Sequence, residues 1–421
     1  MNEAPRVYSS PAATEALALR MGPPQAVRGA LLAARQRTLA LASDVRDGLG
    51  AAYPGIPYAP ELNPPLWELG HVAWFQEWWI ARNRERALGV ACDPAHERAP
   101  SLVPQADDWY DSSRVAHRSR WELPLPHAPA TREYLDGTLS QTLELLDALP
   151  PDAGHDALYF FRLVAMHEEM HAEAAIYMAE NLGIAVRTGL PARTDAAVPE
   201  LELPAQRFRL GSDGAGFAFD NELQGHEVAL EACRIDSQPV SWGRFLPFVE
   251  AGGYQRREWW SDAGWDWLAR QAARRPARLR PSGAGWEHWR GGRWLPVDPL
   301  QAAVHLTAHE ADAWCRWAGR RLPSEAEWEC AALTLPGFSW GHAWEWTSSA
   351  FEPYPRFAPH PYREYSAPWF GSRRVLRGAC HATAPALAHA RYRNFFDPHR
   401  SDVFAGFRSS RAATSPSTPA V

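Results

Sequence analysis

No two cysteines in this 421-residue chain are spaced as a CxxC pair, and its five cysteines (Cys92, Cys233, Cys315, Cys330, Cys380) lie far apart and are odd in number. This argues against a disulfide framework and a paired-cysteine zinc site, and predicts buried thiols in a reducing compartment. No apolar run is long enough to cross a bilayer, so no membrane partner is expected. Residues 1–24 lack the basic start and apolar stretch of a secretory signal, and a cytoplasmic location is expected. Basic charge is not in excess either. Lys plus Arg number 43 against 49 Asp plus Glu, which argues against nucleic acid as a partner, because phosphate binding needs a concentrated basic surface. Internal repeats are also lacking.

Tryptophan is abundant: the chain has 21. Most of these rings are expected in the core, but indoles also line pockets for quaternary ammonium groups through cation–π attraction. The length fits two domains of roughly 150 to 200 residues each.

The first half reads helical. Residues 26–49 are rich in Ala, Leu and Arg, with apolar residues recurring at three and four, and Gly50 stops them. Pro64 and Pro65 open a second helix, to about Leu88, with Trp67, His71, Trp74, Phe75 and Trp78 near one face. Thr131 is expected to cap a third helix through Leu149, and a fourth runs from about Ala153 to Leu182 before Gly183. Four such helices predict an antiparallel bundle, in which metal sites are built from inward side chains on facing helices. The stretch from Gly89 to Ala130 contains WYDSSRVAHRSRWELPLP, and an irregular connection of that length tends to be functional. Residues 1–24 are expected to be flexible, 25–187 to form the helical domain, and 188–200 a Pro/Ala-rich linker. Residues 201–413, punctuated by Gly and Pro, predict an irregular α+β domain with helices at 242–251 and 308–318; residues 414–421 are expected to be disordered. The protein is expected to be a monomer.

The sharpest local signal is MHEEMHAEA, residues 166–174. His167 and His171 leave one helical face a turn apart, as two neighbouring metal ligands require, and Glu168, Glu169 and Glu173 offer carboxylates to orient them. Two ordinary histidines would also read this way. The string is also HExxH, the zinc-protease helix, with Glu168 as general base; however, AEAAIYMAENLG supplies no downstream His, and the helix runs into a linker instead. A third ligand lies upstream: His71, in WELGHVAWFQEWW, faces a bundle interior, although a satisfied core histidine would sit there too. Three neutral imidazoles leave open positions on an ion that keeps its full charge. That suits Fe(II) binding O2 beside a soft thiolate or selenolate, whereas a hydrolytic zinc site more often carries a protein anion.

The pairing of GHVAWFQEWW with MHEEMHAEA resembles the DinB-like helical domain of ergothioneine sulfoxide synthases. The second half, with FAFDNELQGHEV, PVSWGRFLPFVEAGGY, WCRWAGRRLPSEAEWE, HAWEWTSSAFEPYP, RVLRGACHAT and RNFFDPHRSDVFAGFR, resembles the formylglycine-generating-enzyme (sulfatase-modifying factor, C-type-lectin-like) fold. The resemblance implies a multidomain protein, an all-α four-helix bundle followed by an irregular α+β domain, with one Fe(II) on His71, His167 and His171. It implies O2-dependent coupling of hercynine, the trimethyl betaine of histidine, at imidazole C2 to a sulfur or selenium donor. It places the pocket between the domains, with Arg393, Asn394, Phe395 and Phe396 on the betaine side.

Departures from that pattern bear on the donor. Asn394, Phe395 and Phe396 stand where synthases that use γ-glutamylcysteine have Asn-Trp-Asp, Met170 replaces a frequent Gln, and Arg373 or Arg374 occupies a usual Tyr position. RGGS becomes RGACH. The loop string resembles the selenoneine-forming branch, whose donor is a selenosugar; there Tyr110, Ser113, Arg114 and Arg118 would be donor-side residues. The reading is thus an iron(II)- and O2-dependent oxidoreductase of the selenoneine synthase type, with an ergothioneine sulfoxide synthase using γ-glutamylcysteine or cysteine as the alternative. A zinc-dependent thiol transferase or hydrolase, or a non-catalytic betaine- or sugar-binding protein, would be different classes. Cys315, Cys330 and Cys380 do not form the cysteine pair of formylglycine-generating enzymes, so the second domain is expected to act as a binding wall.

Overall fold

The computed structural model describes residues 11–187, 193–195, 197–283 and 285–413. The tail 414–421 and part of the expected linker, 188–192 and 196, lie outside the described residues.

Among the described residues, six helices occupy the first half: α1 (Pro11–Met21), α2 (Pro24–Leu49), α3 (Pro65–Trp79), the short α4 (Ala106–Tyr110), α5 (Ala128–Asp147) and α6 (His155–Asn181). Helices α2, α3, α5 and α6 form the bundle, with α2 against α6 and α3 against both α5 and α6. Pro65 opens α3 because a missing N–H costs nothing at a first helical position, and Gly183 follows α6 in the left-handed region with φ of 71°. Helix α3 ends at Trp79, short of the expected Leu88. Arg82 turns the chain back there, donating to Asp107 at 2.6 Å and to the Ala99 carbonyl at 2.7 Å. Helix α5 begins three residues before Thr131, capped by His127 Nδ1, which accepts from the Ala130 N–H. Residues 11–21, expected to be flexible, are helical; their Arg20 donates twice to Glu222 of the second half, at 2.6 and 2.9 Å. The sequence holds no lysine, so Arg supplies every positive side-chain charge other than that of protonated His.

The second half is α+β. Strands β1 (Glu200–Leu203), β2 (Gln206–Leu210), β3 (His226–Leu230) and β4 (Cys233–Asp236) precede α7 (Trp242–Glu250) and α8 (Asp262–Gln271). Next come β5 (Leu279–Ser282), β6 (Gly285–Arg290), β7 (Arg293–Pro296), α9 (Ala308–Trp317) and α10 (Glu325–Thr334). The chain closes with β8 (Ala343–Ala350), β9 (Arg374–Ala379), β10 (Asn394–Phe396), β11 (Ala405–Gly406) and β12 (Ser410–Ala412). Thr307 with Glu310 and Ser324 with Glu327 form capping boxes that start α9 and α10. The central sheet runs β10-β9-β8-β11, antiparallel except for the β8–β11 pair. No helix among the described residues is long and apolar enough to cross a membrane.

Helix α6 is the seam between the halves. Along its length the Tyr159 hydroxyl meets His360 Nδ1 at 2.9 Å, Trp344 Nε1 donates to Glu173 at 2.6 Å, and the Gly291 N–H donates to Glu180 at 2.7 Å. The two metal-candidate histidines of α6 therefore face the bundle from an element that the second domain also grips.

Candidate metal centre

The rings of His71, His167 and His171 converge. Their centroids lie 5.2 Å (71–167), 4.8 Å (71–171) and 4.4 Å (167–171) apart, and one ligand nitrogen from each lies within 4.8 Å of the others. Helix α3 delivers the first and α6 the other two, a turn apart, as bundle geometry allows.

Each ring is held by something specific. His71 Nδ1 donates to the Tyr110 carbonyl at 2.8 Å; a carbonyl can only accept, so Nδ1 carries the proton and Nε2 keeps its lone pair. Its ring is stacked between Trp67, centroids 4.9 Å apart, and Trp74, 5.8 Å. His171 Nδ1 donates to Glu68 Oε2 at 2.6 Å, and Glu68 Oε1 accepts from Asn63 at 2.6 Å. His167 is stacked face to face on Phe75, with centroids 3.5 Å apart and planes 6° off parallel. Burial, then the neighbouring His171, pushes His71 down to about 3. Burial and the two neighbouring imidazoles push His167 well below its ordinary value. Burial pushes the Glu68 carboxyl up, but His171 beside it outweighs this and holds it below the usual range. The centre therefore holds His71 and His167 neutral and sets a carboxylate behind the third imidazole, His171, the kind of partner that metal-ligating histidines carry.

Glu168 cannot act as the base of an HExxH protease. It is 2% exposed, and both its oxygens accept from Arg35, at 2.8 and 3.2 Å. Arg35 also donates to Gln76 at 2.6 Å, so this carboxylate belongs to the packing of α2, α3 and α6.

The other residues singled out from the sequence divide into two sets. Met170 and Phe395 meet at one cluster: Met170 Sδ accepts from Tyr392 at 3.2 Å, Tyr392 accepts from Tyr365 at 3.1 Å, and Phe395 lies edge-on to Tyr365 at 5.8 Å. Ser113 lines a cavity of about 230 Å³ with Trp74, Phe75, Trp78, Asp111 and Tyr362; its hydroxyl donates to Asp111 at 2.6 Å. Arg114 and Arg118 are exposed, the latter 5.0 Å above the Tyr58 ring. Phe396 is half-buried below Arg400, and Asn394 Oδ1 accepts the Phe395 N–H at 2.9 Å. Of the remaining three, the two arginines are committed to structural ion pairs. Arg374 is bidentate to Asp312 at 2.6 and 3.1 Å; Arg393 is buried, donating to Glu325 at 2.9 and 3.0 Å. The Tyr110 ring is buried beneath Gly70, and only its carbonyl faces His71.

Sequence reasoning missed Glu68, Asn63 and the tyrosines at 362, 365 and 392. Glu68 was signalled by its place three residues before His71 on one helix. The tyrosines sit on an irregular segment whose position no periodicity reveals. Tyr362 lies edge-on to Phe75 at 4.9 Å and 6.3 Å from His167, closing that side of the centre with a residue of the second domain.

Comparison with known proteins fits this geometry. Residues 30–175 match the DinB superfamily, and residues 192–342 and 337–413 match the sulfatase-modifying factor enzyme 1-like domain. A hercynine oxygenase of Mycolicibacterium thermoresistibile is 32% identical over 90% of this chain and 93% of its own length. That of Mycobacterium tuberculosis is 32% identical over 83% of this chain and 91% of its own. The chain belongs to the hercynine oxygenase family. It is thereby an oxygen-dependent oxidoreductase. A formylglycine-generating enzyme of Streptomyces coelicolor is 28% identical over 56% of this chain and 96% of its own length. The cysteines here are all free and buried; burial pushes the Cys315 and Cys380 thiols well above their ordinary value, which leaves neither poised to react.

Proposed function

We propose that this chain joins a sulfur or selenium atom to C2 of the hercynine imidazole, using O2 as oxidant and Fe(II) held by His71, His167 and His171. The observation that carries the reading is the convergence of three imidazoles at the seam between two domains, in a chain related to hercynine oxygenases over most of its length. The donor set fits the ion: imidazoles suit Fe(II), and no protein anion occupies a ligand position to weaken its hold on a soft chalcogenolate. When bound, iron supplies one-electron exchange with O2 and ligation of the chalcogen.

The residues around it position and exclude. The Tyr110 carbonyl and Glu68 fix two ring orientations, each by holding the Nδ1 proton. Phe75 and Tyr362 shield His167 from water. Walling both organic substrates into one seam would make much of the rate advantage proximity. The betaine's trimethylammonium is placed against the seam aromatics around Phe395 and Tyr365, a cation–π contact worth about 0.5 to 2 kcal/mol.

For the donor we favour a selenosugar. Phe396 supplies no carboxylate beside Asn394, whereas the cavity of about 230 Å³ joins indole faces (Trp74, Trp78) to Ser113, Asp111 and Glu364, the mixture that suits a polyhydroxylated ring. A second reading is a thiol donor, γ-glutamylcysteine or cysteine; the relatives' name, hercynine oxygenase, names hercynine and leaves the donor open. The test is anaerobic Fe(II) loading followed by hercynine, O2 and a selenosugar in competition with γ-glutamylcysteine, with products resolved by mass. A selenium-bearing betaine is expected; exclusive use of the dipeptide selects the thiol reading, and absence of hercynine-dependent O2 uptake with either donor overturns both.

A further inference from the structure

Two routes connect one cation to two of the three imidazoles. The Arg120 guanidinium carbon lies 3.8 Å from the centroid of the Trp67 ring, and Trp67 is stacked on His71 with planes 7° off parallel. Arg120 Nη1 also donates to Asn63 Oδ1 at 2.9 Å. Asn63 Nδ2 in turn donates to Glu68 Oε1, and Glu68 Oε2 accepts from His171 Nδ1, both at 2.6 Å. The Arg120 Nε is buried and makes no hydrogen bond, so part of the charge is left without a local partner. Its backbone belongs to the short 3-10 turn His117–Trp121, on the long connection between α3 and α5.

We propose that Arg120 is a positioning residue that sets how readily the ion at His71, His167 and His171 is oxidised, with Glu68 setting the opposite bias; this rests on the iron reading above. The physics has two signs. A fixed positive charge nearby disfavours the higher-charged oxidised ion more than the reduced one. A carboxylate accepting a ligand's N–H makes that imidazole a stronger donor and favours the oxidised ion. The Trp67 ring keeps the guanidinium stacked and out of direct contact with His71, so the charge acts without displacing the ligand.

The test uses the full chain loaded anaerobically with Fe(II), comparing Arg120→Met, Arg120→Lys and Glu68→Gln by potentiometric titration and by the rate of oxidation in air without substrates. Arg120→Met is expected to lower the midpoint potential and speed oxidation by about tenfold, the order that one charge at roughly 10 Å exerts through protein. Glu68→Gln is expected to raise the potential and slow oxidation. Arg120→Lys, which keeps the charge, is expected to stay near the parent. An unmoved potential in Arg120→Met overturns the proposal, as does an equal shift in Arg120→Lys. Shifts of the same sign in Arg120→Met and Glu68→Gln also overturn it, since they mark general loosening of the bundle. A parent chain that retains no iron overturns the metal reading itself.

Discussion

Gly70, beside the first metal-candidate histidine, gives a prediction in which two rules oppose each other. Helix propensity alone says that Ala in mid-helix is better than Gly by about 1 kcal/mol. The structure says otherwise. A Cβ at position 70 would lie 2.2 Å from both Cε1 and Cζ of Tyr110 and 2.6 Å from its hydroxyl oxygen. The Tyr110 ring is 1% exposed and packs on Tyr134, so it must move by more than an ångström with little room to do so. Overpacking of that kind costs about 3 kcal/mol at the upper end of its usual range, leaving Gly70→Ala less stable by about 2 kcal/mol after the propensity gain. The displaced ring carries with it the carbonyl that orients His71, and Fe(II) affinity is expected to fall about tenfold, as for other losses of a ligand's hydrogen-bond partner. Urea unfolding measures the first quantity and competition with a chelator the second. Adding Tyr110→Leu, which removes the clashing atoms, should recover stability in a double-mutant cycle. A Gly70→Ala chain as stable as the parent, or more so, refutes the reasoning.

Arg20→Ala strands Glu222, whose side chain is fully buried against an Arg20 that is 4% exposed. Breaking such a pair costs about 3 to 5 kcal/mol, measurable by urea unfolding, and replacing both partners by Met should recover most of it. The metal-free protein is expected to weaken on acidification. Unfolded His71 takes up its proton near pH 6.5, while burial and then His171 hold the folded residue neutral down to about 3. Between those values the unfolded chain binds more protons, so stability is full above about pH 6.5 and falls by about 1.4 kcal/mol per pH unit for this imidazole. His360 and His381, each pushed by burial to about 4, add to the slope. An unfolding midpoint that stays flat between about pH 6 and pH 4 contradicts this.

Much of the centre was legible because helices carry their own ruler. The 167/171 spacing fixed a shared face, and the Pro-Pro opening and terminal Gly of α3 and α6 marked where those faces begin and end. What stayed hidden depends on long-range placement. That α3 stops at Trp79 follows from Arg82 finding Asp107, 25 residues on. Tyr110 was singled out for its side chain, yet what faces His71 is its backbone carbonyl, a role that residue type does not encode. Arg374 and Arg393 carry the charge a substrate site needs, but Asp312 and Glu325 are distant in sequence, and only the fold shows that these charges are already paired.

Helix α6 shows why one string of letters supports different chemistries. His167 and His171 lie about 40° apart around its axis, so both enter the centre, while Glu168 lies about 100° from His167 and meets Arg35. Had that contact been an apolar or small residue, the same carboxylate would have been unpaired, although the HExxH reading would still have lacked its downstream ligand. Met170 and Glu173 lie on the remaining arc and are taken by Tyr392 and Trp344 of the second domain. Three faces of one helix thus hold the ion's ligands, lock the bundle and dock the partner domain. The His167 side of the centre is closed by Tyr362 of the second domain, whereas the cavity beside His171 is walled by bundle residues alone, so it is the His167 side that depends on the docking of the two domains.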